Sequence, residues 1–260
     1  FRHLIFPTTK IINVILVPII YFYSKEHWNL MKLYKYKYDL HVHTSNVSPC
    51  AHVPAHEIVH LYKQAGYQGI VITDHYYDHY FETLPESTWA DKIKRYMEGY
   101  RIARDEGQKL DLDVLFGIEL KMAGTQNDYL IYGVTEDFLV EYPELYKLSL
   151  AALHSLTKAN GMLLYVAHPF RSYMQPVDPR LLDGAEVFNG NPRHKSQNHL
   201  ALAFAEEHGL LKISGSDFHQ RVDLGIGGVA LKERVTDIHD LVPILRAEDL
   251  GLITNPLPKL

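Results

Sequence analysis

Asp39-Leu40-His41-Val42-His43-Thr44 ends an aromatic and apolar segment that begins at Tyr36 and reads as a β-strand running out of the core. Side chains two residues apart in a strand project from the same face, so His41 and His43 converge on one point. Two convergent imidazoles make half a metal site. The rest of the chain is therefore read for what it delivers to the same place.

Downstream, four short segments each place a histidine or a carboxylate just after an apolar run. Residues 69–73 form a β-branched strand bounded by glycine and ending at Asp74-His75, and residues 113–118 form another that ends in Glu119. Residues 129–132 make a further strand. Residues 162–167 run straight into His168-Pro169, residues 184–188 lead to Asn189 and Asn191, and residues 210–214 exit at Gly215-Ser216-Asp217-Phe218-His219. Between the strands, Ile58, Leu61, Tyr62 and Ala65 give a helical stripe stopped by Gly66. A second helix reaches about Gly107, and Leu145, Leu148, Ala152 and Leu156 mark a long helix before Gly161. A helix precedes Gly209, residues 225–229 read as a turn with a short strand, and a last helix spans residues 238–246.

Strands alternating with helices argue for parallel βα units, and seven of them around one core give a distorted TIM-like (βα)7 barrel of α/β class. Such barrels gather their active sites at the carboxyl ends of the strands. His41, His43, His75, Glu119, His168, Asp217 and His219 all lie at that end. Imidazole and carboxylate are ligands of Zn, Mn and Fe, and without a four-cysteine pattern they suit a hydrolytic metal site. The set is too large for one ion, so at least two divalent metal ions are expected.

The bulk properties fit one large domain. The chain has 260 residues, 47% of them hydrophobic, and a formal charge of -5. No basic tract suggests nucleic-acid or membrane-surface binding. The single cysteine, Cys50, excludes an internal disulfide and fits a reducing, cytoplasmic location. Residues 11–23 are mostly apolar but are broken by Asn13 and Pro18, and they fall short of the roughly 18–20 residues that cross a bilayer. Basic residues precede them, but no small-x-small cleavage site follows Tyr23. Residues 1–30 are taken as a leader or poorly ordered extension, and residues 31–260 as the working domain.

In their order, His41-Val42-His43 after Asp39, Thr73-Asp74-His75, Gly117-Ile118-Glu119, His168-Pro169, Glu186-Val187-Phe188-Asn189 and Gly215-Ser216-Asp217-Phe218-His219 resemble the motifs of the polymerase and histidinol phosphatase (PHP) family. The resemblance covers roughly residues 36–250. It implies a seven-stranded barrel holding a metal cluster that hydrolyses phosphoesters, possible substrates including histidinol phosphate. It further implies that His41, His43, Glu119 and Asp217 hold a first metal, that Glu119 bridges to a second held by His168, and that His75 and His219 hold a third. Cys50 aligns with the third site's remaining ligand, with His52 as the other candidate and a small buried residue as the bland reading. The second site usually takes a histidine from the following strand; here Asp128 or water stands in for it.

On this reading, metal-bound hydroxide attacks phosphorus in line. Glu119 and Arg171 are the candidate catalytic residues, and Arg171 and Arg193 the candidate substrate-binding residues, with Lys195 as a further cation. Asp39 and Asp74 are expected to orient ligand imidazoles. The expected partner is a small phosphorylated metabolite. The alternatives are a metal-dependent amidohydrolase and a non-catalytic metal-binding PHP module. Amidohydrolases also open on His-x-His, but they bridge their metals with a carboxylated lysine, whereas this chain offers Glu119 and the Asp217-x-His219 pair.

Overall fold

β-Branched and aromatic residues dominate the apolar runs, and each becomes a strand in the computed structural model, which describes residues 33–254. The expectations for residues 1–30 lie outside the described residues. In chain order the described elements begin with β1 (Tyr36–Val42), α1 (Ala55–Gln64), β2 (Gly69–Ile72), β3 (His75–Tyr76), α2 (Asp78–Thr83), α3 (Trp89–Tyr96), α4 (Glu98–Leu110) and β4 (Asp113–Lys121). There follow β5 (Asp128–Tyr132), α5 (Glu136–Glu141), α6 (Leu150–Ala159), β6 (Leu163–Val166), β7 (Gly184–Asn189) and α7 (Asn198–His208). The last are β8 (Leu211–Gly215), β9 (Gly228–Leu231), α8 (Ile238–Ala247) and β10 (Gly251–Ile253).

The strands pair in the order β10-β9-β1-β2-β4-β5-β6-β7-β8, with β3 beside β4. The sheet curls into a nearly closed barrel. Phe218, just past β8, donates from its backbone N to His41 O at 3.1 Å and accepts from His43 N at 3.0 Å. The β8 end of the curl is thus stitched to β1 at the histidine pair. Leu40, Val71, Leu115, Leu130, Tyr165 and Ile213 fill the interior, and Leu241 and Leu245 of α8 pack against them. The outer face of β1 and β2 is covered by Ile58, Val59 and Tyr62 of α1 and Ala103 of α4.

Three expectations are corrected. The sheet is not all parallel: β5 runs antiparallel to both β4 and β6, because the turn 122–127 is too short for a crossover connection. The long helix expected from Leu145 onward is split, since Ser149 caps α6 by accepting from Ala152 N at 3.2 Å, leaving residues 145–147 as a single 3-10 turn. The helix expected to reach Gly107 is likewise two, α3 and α4, which meet at Met97. Among the described residues no helix is long and apolar enough to cross a membrane.

Candidate metal centre

The first strand delivers its histidines through an irregularity. Along β1 the partners of Asp39 and Val42 on β2 are Ile70 and Ile72, so β1 holds one residue more than its neighbour over that interval. A bulge of this kind re-aims side chains. Tyr38 and Leu40 face the barrel interior below it, and His41 and His43 face the same interior above it, with ring centroids 5.0 Å apart.

Four side chains converge there. His41 Nε2 lies 3.2 Å from Glu119 Oε1 and 3.5 Å from Asp217 Oδ1, and His43 Nε2 lies 3.3 Å from Glu119 Oε2 and 3.5 Å from Asp217 Oδ1. A tetrahedron whose corners are about 2.0–2.1 Å from a central zinc has edges of about 3.3 Å, so these spacings fit a cation between the four groups. The fit has a second sign. His41 Nε2 and His43 Nε2 are fully buried and, among the described residues, without a hydrogen-bond partner, an arrangement that is costly unless something else occupies it.

Two further groupings adjoin the first. Glu119, Asp128 and His168 bring ligand atoms within 4.8 Å of one another, as do His43, His75 and His219. His168 Nε2 is 3.1 Å from Glu119 Oε1 and 4.0 Å from Asp128 Oδ2, and His75 Nδ1 is 2.8 Å from Glu119 Oε2. Glu119 therefore touches His41, His43, His75 and His168. Asp128 stands where the sequence offered no histidine. Burial and the neighbouring Glu119 push its carboxyl up to about 6. Cys50 is exposed at the mouth of the site. Burial pushes its thiol up, but His219 and His75 outweigh this and bring it to about 6. His52 is also exposed, and both Cys50 and His52 lie outside the groupings of candidate ligands, in which His43 joins His75 and His219.

Charge follows the same arrangement. Burial opposes ionisation of Glu119 and Asp217, yet the surrounding histidines hold both carboxyls well below the usual range. Burial likewise opposes a proton on His41, but Glu119, Glu186 and Asp217 raise its pKa well above the ordinary value. His43 goes the other way: burial, His219 and His75 hold it well below.

The supporting shell differs from expectation. Among the described residues Asp39 touches no imidazole; it accepts from the backbone N of His41 at 3.2 Å and of Ser216 at 3.0 Å, and from Tyr62 Oη at 2.7 Å. It thus pins β1 to the exit of β8. Asp74 acts one step removed: Ser48 Oγ donates to it at 2.7 Å and lies 3.3 Å from His43 Nδ1, which fixes the ring with Nε2 toward the centre. The carboxylate that does hold an imidazole directly is Glu186. Its Oε1 accepts from His41 Nδ1 at 2.9 Å, and its Oε2 accepts from His168 N and Asn189 Nδ2, each at 2.9 Å. Glu186 stands in a motif the sequence singled out, yet no role was assigned to it; the available signal was a carboxylate inside an otherwise apolar strand.

The expected cations are engaged rather than free. Arg171 is buried and donates through Nη2 to Asp217 Oδ2 at 2.6 Å and to Asn189 Oδ1 at 2.9 Å. Arg193 is paired with buried Asp223, which also accepts from His219 N at 2.9 Å. Lys195 is exposed and does not line the cavity. Two of the candidate ligands sit on strained backbone, His168 at φ +31° and Asp217 at φ +52°, conformations that L side chains rarely adopt. Above the ligands opens a cavity of about 480 Å³ whose wall includes His75, His168, Arg171, Asp217 and His219.

A profile of the PHP domain matches residues 39–223. The chain belongs to the PHP domain family. Among solved structures, this PHP domain resembles PsfC from Pseudomonas syringae PB-5123, with a TM-score of 0.62 at 19% identity over 85% of this chain and 91% of that one. It also resembles a two-domain protein from Bacteroides vulgatus ATCC 8482 described as containing a predicted PHP-like metal-dependent phosphoesterase, with a TM-score of 0.60 at 17% identity over 85% of this chain. The match spans 65% of that longer protein. At these identities the likeness is one of fold. No curated protein matches the PHP chain.

Proposed function

We propose that the protein is a metal-dependent phosphoesterase that hydrolyses a phosphate ester of a small metabolite. The observation that carries the reading is the set His41, His43, Glu119 and Asp217 beneath the cavity, with imidazole–carboxylate distances of 3.2–3.5 Å and the buried Nε2 atoms of both histidines without a hydrogen-bond partner among the described residues. His41, His43, Glu119 and Asp217 would hold one cation, Glu119, Asp128 and His168 a second, and His75 and His219, with Cys50 beside them, a third. Cations at these positions would supply polarisation of phosphoryl oxygens and would lower the pKa of water toward neutrality.

The chain's own residues do the rest. Glu186 holds His41, and Ser48 with Asp74 holds His43, in the tautomers that turn Nε2 to the centre. Arg171 fixes Asp217 through Nη2, and its Nη1, hydrogen-bonded among the described residues only to Tyr173 Oη at 3.3 Å, belongs to a side chain on the cavity wall from which a phosphoryl oxygen would accept. Arg193, tied to Asp223, steadies the backbone of His219 more directly than it meets substrate. In a reducing cytoplasm Cys50 remains a thiol or thiolate, and the cavity suits a small phosphorylated substrate rather than nucleic acid.

The test is phosphate release from a panel of phosphomonoesters by chelator-stripped protein reconstituted with Mn, Zn or Fe. Metal-dependent turnover that His41→Ala abolishes is expected. Folded wild-type protein that releases no phosphate with any metal would overturn the reading in favour of an amidohydrolase or a non-catalytic metal module.

A further inference from the structure

Three permanent cations stand on the cavity wall, and two of them are already matched by carboxylates: Arg171 by Asp217 and Arg193 by Asp223. Lys121 is not. It is half-buried at the end of β4, and among the described residues its Nζ donates only to Gln126 Oε1, at 3.2 Å. Its cross-strand partner Asp128 is turned inward to His168 and forms no ion pair with it. An ammonium on the cavity wall with spare N–H groups can donate to a charged acceptor.

Position shows which part of a ligand Lys121 would meet. Lys121 lies two residues beyond Glu119 on the same strand, so both project from one face, with Lys121 about 7 Å farther toward the mouth. A phosphoryl group bound among His75, His168, Arg171 and Asp217 on the cavity wall, above the Glu119 cluster, would have Lys121 on its outward side, where the rest of the ligand would lie. Gln126 also lines the cavity. Because lysine can only donate, Gln126 must offer it Oε1, which leaves the Nε2 hydrogens as a second donor set beside the ammonium.

We propose that Lys121 and Gln126 form a subsite for a second anionic group, a carboxylate or a further phosphate, on the leaving-group side of the substrate. The inference rests on the phosphoesterase reading and narrows it: the preferred substrate is a phosphomonoester that carries another negative charge.

The experiment measures kcat and KM of the metal-loaded enzyme for two matched pairs, 3-phosphoglycerate with glycerol 3-phosphate, and fructose 1,6-bisphosphate with fructose 1-phosphate. Wild type, Lys121→Gln, Lys121→Arg and His41→Ala are compared. Wild type is expected to prefer the second-anion member of at least one pair, and which pair responds tells carboxylate from phosphate. In Lys121→Gln that preference falls about tenfold, mostly through KM, as befits loss of one charge-assisted contact made before the transition state. Lys121→Arg keeps most of it, because the charge remains. Equal use of both members in both pairs, or a preference untouched by Lys121→Gln, overturns the subsite while leaving the phosphoesterase reading standing. Absence of turnover for all four compounds by protein that hydrolyses another phosphomonoester overturns the subsite alone, and absence of turnover across the whole phosphomonoester panel, with wild type no better than His41→Ala, overturns both.

Discussion

Glu186 is the residue whose removal separates orientation from ligation. It contacts His41 Nδ1, the backbone of His168 and Asn189, so Glu186→Gln turns an amide N–H toward at least one existing donor. We expect metal affinity to fall about 10–100-fold with the fold retained, as measured by competition against a chromophoric chelator. Unchanged affinity would show that His41 needs no such support. Protonation gives a second expectation at this scale. Burial opposes a charge on His219, but Asp217 and Cys50 raise its pKa to about 10, and His41 and His75 are also raised well above the ordinary value. These raised values stabilise the metal-free fold below the ordinary histidine range, and that contribution is lost as pH climbs toward about 10. A cation must expel the same protons, so metal affinity rises with pH through this window. Titration calorimetry in buffers of different ionisation enthalpy should report net proton release near neutral pH; none would contradict the assignment. The histidines and carboxylates themselves were legible in the sequence because each follows an apolar run. Glu186 and Asp39 were not, since which atom a buried carboxylate meets depends on neighbours far along the chain.

Two bulges adjust the strands at the site. One in β1 turns His41 and His43 inward, and another lies between Glu186 and Phe188 of β7. Neither shows in apolar periodicity, because one inserted residue is indistinguishable from a break in pattern. Gly215 at the end of β8 makes the close approach possible: a Cβ there would lie 2.5 Å from His41 Cβ and 2.9 Å from Glu186 Oε1. Gly215→Ala is therefore expected to cost about 1–3 kcal/mol of stability and to weaken metal binding together with it, read by denaturant unfolding and metal titration. Full metal binding in this variant would mean that β1 and β8 can separate without disturbing the ligands. The split of the expected long helix gives a contrasting case. Ser149→Ala removes the α6 cap, far from the ligands, and should lower stability by about 1 kcal/mol while leaving metal binding unchanged.

At the scale of the molecule, seven βα-type strands were readable from composition and spacing, and all seven form. Their directions were not, because β5 is reversed by a turn too short to cross the sheet, and β9 and β10 add an antiparallel flank. The functional consequence survives these departures. Closure of the curl at Phe218 sets the exits of β1 and β8 side by side, which brings His41 and His43 next to Asp217 and His219. The most direct measurement is the metal content per chain after dialysis against Mn or Zn, by elemental analysis, for wild type and Glu119→Ala. Because Glu119 touches four of the candidate histidines, wild type should retain about two or three equivalents and the variant should lose most of them. Folded wild-type protein that retains no metal, or a Glu119→Ala variant that retains as much as wild type, would contradict the account.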